Sequence, residues 1–268
     1  MTAPVKKLNA LVIGGTSGIG QGIALALASR GCNVTIAGRT PKDVLPLLKA
    51  AGKDGTHEFI AVNGFDLKTL DDLPAPDLLV MTHGMATTQG YTPTVDGIDQ
   101  KLQLHYFSRL YIARKLAPKM PENGRIITVL SAGVHSRYPK FNEDFTLEKN
   151  YSVTNAADAA GFYTDAGFEK LADDFPNLVV CHASPGFVST NWGTEMPWYV
   201  KGPVRVLQVF GKSLEKCGEI ITSSWLDLSP GKYNTIDQNG KPCKTKVLHT
   251  PAEREIIVSK TDELLGLA

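Results

Sequence analysis

Short runs of consecutive apolar residues alternate along this chain with longer stretches in which apolar positions recur every three or four residues. The runs at 10–13, 34–37, 59–62, 78–82, 126–130 and 179–183 are apolar in consecutive positions instead of at every second one, broken only by Thr35, Thr82, Thr128 and His182. That is the pattern of strands covered on both faces. Between the first two runs, Ile23, Ala24, Leu27 and Ala28 share one helical face, and Gly31 suits the helix end. Longer helices are predicted over 99–119 and from near 151 toward 173. Residues 229–245 read as turns around one short strand. Strand–helix alternation of this kind predicts an α/β architecture, a doubly wound parallel sheet between two helical layers, in one domain over 1–268. The segment 191–214 breaks the pattern with Trp192, Pro197, Trp198, Tyr199, Pro203 and Phe210. It suits a flap over a substrate, or alternatively a packing surface.

Composition narrows the function classes. The chain has 268 residues, 43% of them apolar, and a formal net charge of +1 from 28 basic and 27 acidic side chains. Such a balance carries no basic field, which argues against nucleic acid as a partner. Cys32, Cys181, Cys217 and Cys243 are scattered without a CxxC pair. They read as free thiols of a cytoplasmic protein, not as disulfides or metal ligands. The apolar run after Lys6 and Lys7 is too short for a signal peptide, and no stretch approaches the roughly 20 residues that span a bilayer.

The strongest chemical signal is Gly14-Gly15-Thr16-Ser17-Gly18-Ile19-Gly20, which follows a strand and opens a helix. Glycines there let the backbone turn tightly and approach a pyrophosphate, whose charge the helix N-terminus favours. The placement predicts a Rossmann-type dinucleotide site. At the end of the next strand, Gly38 stands where an NAD site carries an acidic residue for the ribose 2′-hydroxyl, and Arg39 follows. A guanidinium grips a 2′-phosphate that a carboxylate would repel, so the expected cofactor is NADP(H).

These residues resemble the short-chain dehydrogenase/reductase family over nearly the whole chain. The Gly14/Gly18/Gly20 spacing is similar to its TGxxxGxG loop, with Ile13 in place of the threonine. The resemblance implies that Asp66 contacts the adenine and that Ser131 and Tyr151 are the catalytic serine and tyrosine. It also implies that the segment from Pro185 to Thr190, Val188 and Thr190 included, contacts the nicotinamide. Stretches such as His105-Tyr106-Phe107 and Asn150-Tyr151-Ser152 are similar to a divergent, largely fungal branch of the family. Family members often pair through two long helices. This implies a homodimer through 99–119 and 151–173, the second carrying Ala156, Ala157, Ala159, Ala160 and Gly161.

Three positions depart from the family pattern. The YxxxK lysine is Asn155, the NNAG motif reads Met81-Thr82-His83-Gly84, and the helix asparagine of the usual tetrad corresponds to His105. The lysine matters most. An ammonium at about 4 Å, at an effective dielectric near 20, is worth roughly 4 kcal/mol to a phenolate. At about 1.36 kcal/mol per unit, that is up to roughly three pKa units. Asn155 supplies none of this, and Lys149 lies on the wrong side of Tyr151 to replace it. A protonated phenol can still act as the acid of a reduction, but it is a poor base for an oxidation. The expectation is therefore an NADPH-dependent reductase for a carbonyl or enone of a small to medium apolar substrate. The alternatives are a redox-neutral isomerase, dehydratase or cyclase on the same fold, and a non-catalytic NADP(H)-binding protein.

Overall fold

A computed structural model describes residues 7–52, 54–189, 211–245 and 247–267. Seven parallel strands form one sheet in the order β3-β2-β1-β4-β5-β6-β7. They are β1 Asn9–Ile13, β2 Asn33–Gly38, β3 His57–Ala61, β4 Leu78–Met81, β5 Arg125–Val129, β6 Val179–Ala183 and β7 Tyr233–Ile236. The six expected strands all occur, within one or two residues of their expected bounds. The short strand within 229–245 is β7.

The apolar runs have a simple cause. Alternate side chains of a strand point to opposite faces, and here each face meets helices. From β1, Leu11 and Ile13 enter one core while Ala10 and Val12 enter the other. Helices α1 Gly18–Ser29 and α2 Val44–Ala51 cover the second core. Helix α5, Leu214–Leu226, lies beside α1 on that face. Its approach is close: a Cβ on Gly218 would collide with the Gly22 backbone. The first core lies under α3 (Gln100–Leu116), α4 (Val153–Asp174) and α6 (Pro251–Leu265).

Helix α3 is one continuous rod in three parts: α-helical Gln100–Leu102, a π-helical turn Gln103–Phe107, and α-helical Ser108–Leu116. Asp99 caps it, its carboxylate accepting from the Lys101 and Leu102 amides. Helix α4 starts two residues later than expected, capped by the Ser152 hydroxyl, which accepts from the Asn155 amide at 2.9 Å. Tyr151 therefore precedes the helix, and the i to i+4 relation assumed between it and position 155 does not hold. Of the small residues expected at a dimer seam, Ala156, Ala159, Ala160 and Gly161 are buried within the chain itself, and only Ala157 is exposed. Most of the expected flap, 191–210, lies outside the described residues, as does Thr190.

Candidate active site

Chain order reverses between β1 and β4, so the crevice at the carboxyl ends of these two strands is where an open α/β sheet receives a ligand. The glycine loop lines it. Gly14 has φ +80, and a Cβ there would stand 2.6 Å from the His83 amide nitrogen. A Cβ on Gly20 would strike the Gly14 carbonyl and the Thr82 hydroxyl. The Thr82 hydroxyl in turn donates to the Ile13 carbonyl at 3.0 Å, tying the end of β4 to the loop. Gly18 also has positive φ, and the Ser17 side chain makes no cap bond to α1. The first-turn amides thus stay available to an anion at the positive end of the helix. Thr16 packs against Gly38, where a Cβ would meet its methyl at 3.4 Å, and Ile19 is half-buried.

The sequence places Arg39 and Asp66 near this loop, and the structure adds a neighbour. The exposed Arg39 guanidinium lies 5.9 Å over the Phe65 ring. Lys42, which sequence reading passed over, lies 3.4 Å from the Ser17 hydroxyl as its donor. The loop edge therefore carries two cations. Asp66 caps a short 3-10 turn, accepting from the Lys68 amide at 3.1 Å. Beside Phe65 is an open cleft of about 390 Å³, lined also by Asn63, Pro93, Thr94, Val95 and Gln100. Val188 packs into the second core and is bridged to Lys212. Together, the glycine cradle and the open amides fit the pyrophosphate of a dinucleotide.

Tyr151 is half-buried, and its ring meets Tyr91 edge-on at 6.2 Å. Its hydroxyl receives a hydrogen bond from the Lys101 ammonium and donates to the Gln89 carbonyl at 3.2 Å. Lys101 is only 4% exposed and also donates to the Gln89 carbonyl, at 2.9 Å. An ammonium thus reaches the tyrosine from α3, fifty residues away in sequence. No motif spacing could reveal it. Burial, and then the Asp99 carboxylate, push the Tyr151 phenol up to about 12. Burial also lowers the Lys101 ammonium, and Asp99 opposes that shift. Asn155 turns away from this role, its amide nitrogen donating to the Asn150 carbonyl at 2.7 Å.

His105 sits inside the π turn of α3, a distortion common at functional sites. Its Nε2 accepts from the Met85 amide at 3.1 Å. Burial, Arg109 and Lys101 lower it to about 3, so it is a neutral acceptor and not a proton relay at neutral pH. His83 is likewise neutral, shifted well down by burial and then by Arg109. The Ser108 hydroxyl donates to the Gln103 carbonyl, so His83 Nε2, 2.9 Å away, carries the proton between them. Arg109 is 1% exposed and fully engaged, donating to the Leu104 carbonyl at 3.1 Å, the Thr128 hydroxyl at 2.9 Å and the Val129 carbonyl at 2.8 Å.

Ser131 follows β5. Its amide donates to His182 Nε2 at 3.0 Å, and its hydroxyl lies 3.5 Å from His135 Nδ1. Ser131 and Tyr151 are thus held by separate sets of partners. The sequence alone does not single out His135, Asp165 or His182. Among the described residues, no group of three His, Cys, Asp or Glu side chains could hold a metal ion, and no helix is long and apolar enough to cross a membrane.

A family model described as short chain dehydrogenase matches residues 8–196. The NmrA-like family domain-containing oxidoreductase notO of Aspergillus sp. (strain MF297-2) is 27% identical over 200 residues, 68% of this chain and 61% of that protein. Oxidoreductase AN1596 of Emericella nidulans is 30% identical over 199 residues, 69% of this chain and 59% of that protein. The chain spans about three fifths of the length of these curated relatives. Among solved structures, the reductase/Diels-Alderase MalC of Malbranchea aurantiaca has a TM-score of 0.65 at 18% identity, covering 88% of this chain and 96% of that one. A short-chain dehydrogenase/reductase of Serratia marcescens has a TM-score of 0.62 at 20% identity, covering 89% and 99%. At such identities the likeness is one of fold. The glycine loop, Ser131 and Tyr151 all fall inside the matched stretch on a parallel, doubly wound sheet, and the chain belongs to the short-chain dehydrogenase family.

Proposed function

We propose that this chain is an NADP(H)-dependent reductase acting on a carbonyl or enone of a small to medium apolar substrate. The observation that carries the reading is the Lys101 ammonium on the Tyr151 hydroxyl, which supplies the charge that Asn155 lacks. The first-turn amides of α1, with Gly14, Thr16, Ser17, Gly18, Ile19 and Gly20, hold the pyrophosphate. Arg39 and Lys42 take the 2′-phosphate, Asp66 the adenine, and Val188 and Thr190 the nicotinamide. When bound, NADPH supplies hydride to the carbonyl carbon.

Tyr151 gives its proton to the carbonyl oxygen, for which its raised phenol is in the right form at neutral pH. Lys101 stabilises the phenolate left behind, and the Ser131 hydroxyl donates a hydrogen bond to the same oxygen. The whole chain acts as one dinucleotide-binding domain, with 191–214 as the substrate flap. We place it in the cytoplasm as a homodimer; its four free cysteines suit a reducing compartment.

The test is NADPH absorbance with a panel of aldehydes, ketones, quinones and enones. Steady consumption that is lost in Tyr151→Phe supports the reading, and no consumption across the panel overturns it. The redox-neutral alternative draws on Asn155 at the family's lysine position and on a fold neighbour named for both reductase and Diels–Alderase activity. It expects a constant NADPH signal while substrate is converted.

A further inference from the structure

Behind Ser131 lies a buried cluster that the reading above does not use. Asp165 of α4 is 5% exposed at its side chain, His135 2% and His182 of β6 0%. His182 Nδ1 stands 2.8 Å from Asp165 Oδ1, and the Tyr233 hydroxyl of β7 donates to the same oxygen at 2.6 Å. His135 Nε2 stands 3.3 Å from Asp165 Oδ2, an ion-pair distance without hydrogen-bond alignment. His135 Nδ1 is 2.9 Å from the Ser131 carbonyl and 3.5 Å from its hydroxyl. Gly161 of α4 makes room for this ring: a Cβ there would lie 2.6 Å from the His135 Cβ.

The hydrogen-bond directions assign the protons. The Ser131 amide donates to His182 Nε2, so that nitrogen is bare, and the proton of His182 sits on Nδ1, facing Asp165. His182 is neutral. His135 differs, because both of its nitrogens face acceptors: a carbonyl on one side and a carboxylate on the other. A neutral His135 would set a lone pair against a lone pair on one side. A doubly protonated ring satisfies both and compensates the Asp165 charge, which a buried carboxylate requires.

We propose that His135 is a positioning residue for Ser131, held as an imidazolium by Asp165, and that its charge strengthens the Ser131 hydroxyl as a donor to a reacting oxygen that becomes negative. The proposal rests on Ser131 lying at the substrate, as in the function above. Other charged and titratable groups face the ring. Asp158 of α4 accepts from the Ser136 amide at 2.9 Å and favours the cation. His182 stacks at 6.0 Å from it. Arg109 of α3 acts against a proton on His182. Cys243 lies against Gly133 of the same turn, and Tyr233 meets Asp165 from β7. Burial pulls the His135 pKa down, but Asp165, the Ser131 carbonyl and Asp158 together outweigh it and the net shift is upward.

The experiment has two arms on the full chain. In the first, imidazole nitrogen resonances are followed by NMR from acid to alkaline pH without cofactor. One histidine should titrate above the ordinary value and vanish from the spectra in His135→Gln, while His182 keeps its Nδ1 proton throughout. In Asp165→Asn the His135 titration should move to lower pH. Should that variant not fold, His135→Gln and the natural chain decide alone. In the second arm, NADPH consumption with a quinone or diketone is measured over the same range. kcat should fall roughly tenfold or more as His135 loses its proton, with KM for NADPH unchanged, and this step should be absent in His135→Gln. A His135 that titrates at or below the ordinary value overturns the proposal. So does a pH step that survives His135→Gln. If the NMR result is as expected but no carbonyl consumes NADPH, the ion pair stands and the reductase reading falls.

Discussion

Lys101→Met tests whether the ammonium on Tyr151 is chemical machinery or only packing. Methionine fills much of the same buried volume without a charge or a donor. The Lys101 ammonium makes two hydrogen bonds, one to the Tyr151 hydroxyl and one to the Gln89 carbonyl at 2.9 Å. Only the first strengthens as the phenol loses its proton. A hydrogen bond to a charged group is worth about 1.5–3 kcal/mol, so kcat for reduction should fall roughly 10- to 150-fold. KM should change little, because the interaction develops in the transition state. Stability should hold, since the variant removes a charge from a site only 4% exposed, and the Gln89 carbonyl keeps the Tyr151 hydroxyl as its donor at 3.2 Å. The assay is NADPH absorbance with a quinone or diketone, alongside a thermal melt. An unchanged kcat in Lys101→Met, in a protein whose activity is abolished by Tyr151→Phe, would refute the reasoning. Asn155→Lys is the companion variant. Because Tyr151 already has an ammonium and lies outside α4, the added lysine should not raise turnover.

Other outcomes follow from the same geometry. NADPH should bind at least about tenfold more tightly than NADH, and Arg39→Ala with Lys42→Ala should erase the difference; equal affinities of the natural protein by calorimetry would count against both cations. Gly14→Ala forces a side chain into a left-handed conformation, a cost of about 1–2 kcal/mol before the clash with His83, so both the melting temperature and NADPH affinity should fall. Tyr151 holds its proton more tightly folded than unfolded, so its contribution to stability is present below pH about 10 and is lost on the way to about 12. Alcohol oxidation, which needs the phenolate, should stay slow until the same alkaline range, and a neutral optimum for oxidation would contradict this. Light scattering at micromolar concentration should give the mass of a dimer; a monomer would remove that part of the proposal.

What the sequence determines here is whatever depends on local order. Strands covered on both faces are apolar at most consecutive positions, so β1, β2, β4, β5 and β6 stand out as runs such as Ala10–Ile13. Edge strands hide better. His57–Ala61 has no fully buried position, and Tyr233–Ile236 has a buried residue only at every second position. The glycine loop was legible because close approach of backbone to backbone leaves no alternative residue at Gly14 or Gly20. Contacts between distant segments left no such trace. Position 155 reads as the loss of a charge, and only the fold of α3 shows that Lys101 brings one back from the other side of the tyrosine. The same holds for Asp165, whose partners His135, His182 and Tyr233 come from a loop and two further strands. A helix period of 3.6 identifies which residues turn inward; it does not say which charge will meet them there. That is decided by how the layers pack, because a buried charge must find its partner wherever the chain delivers one.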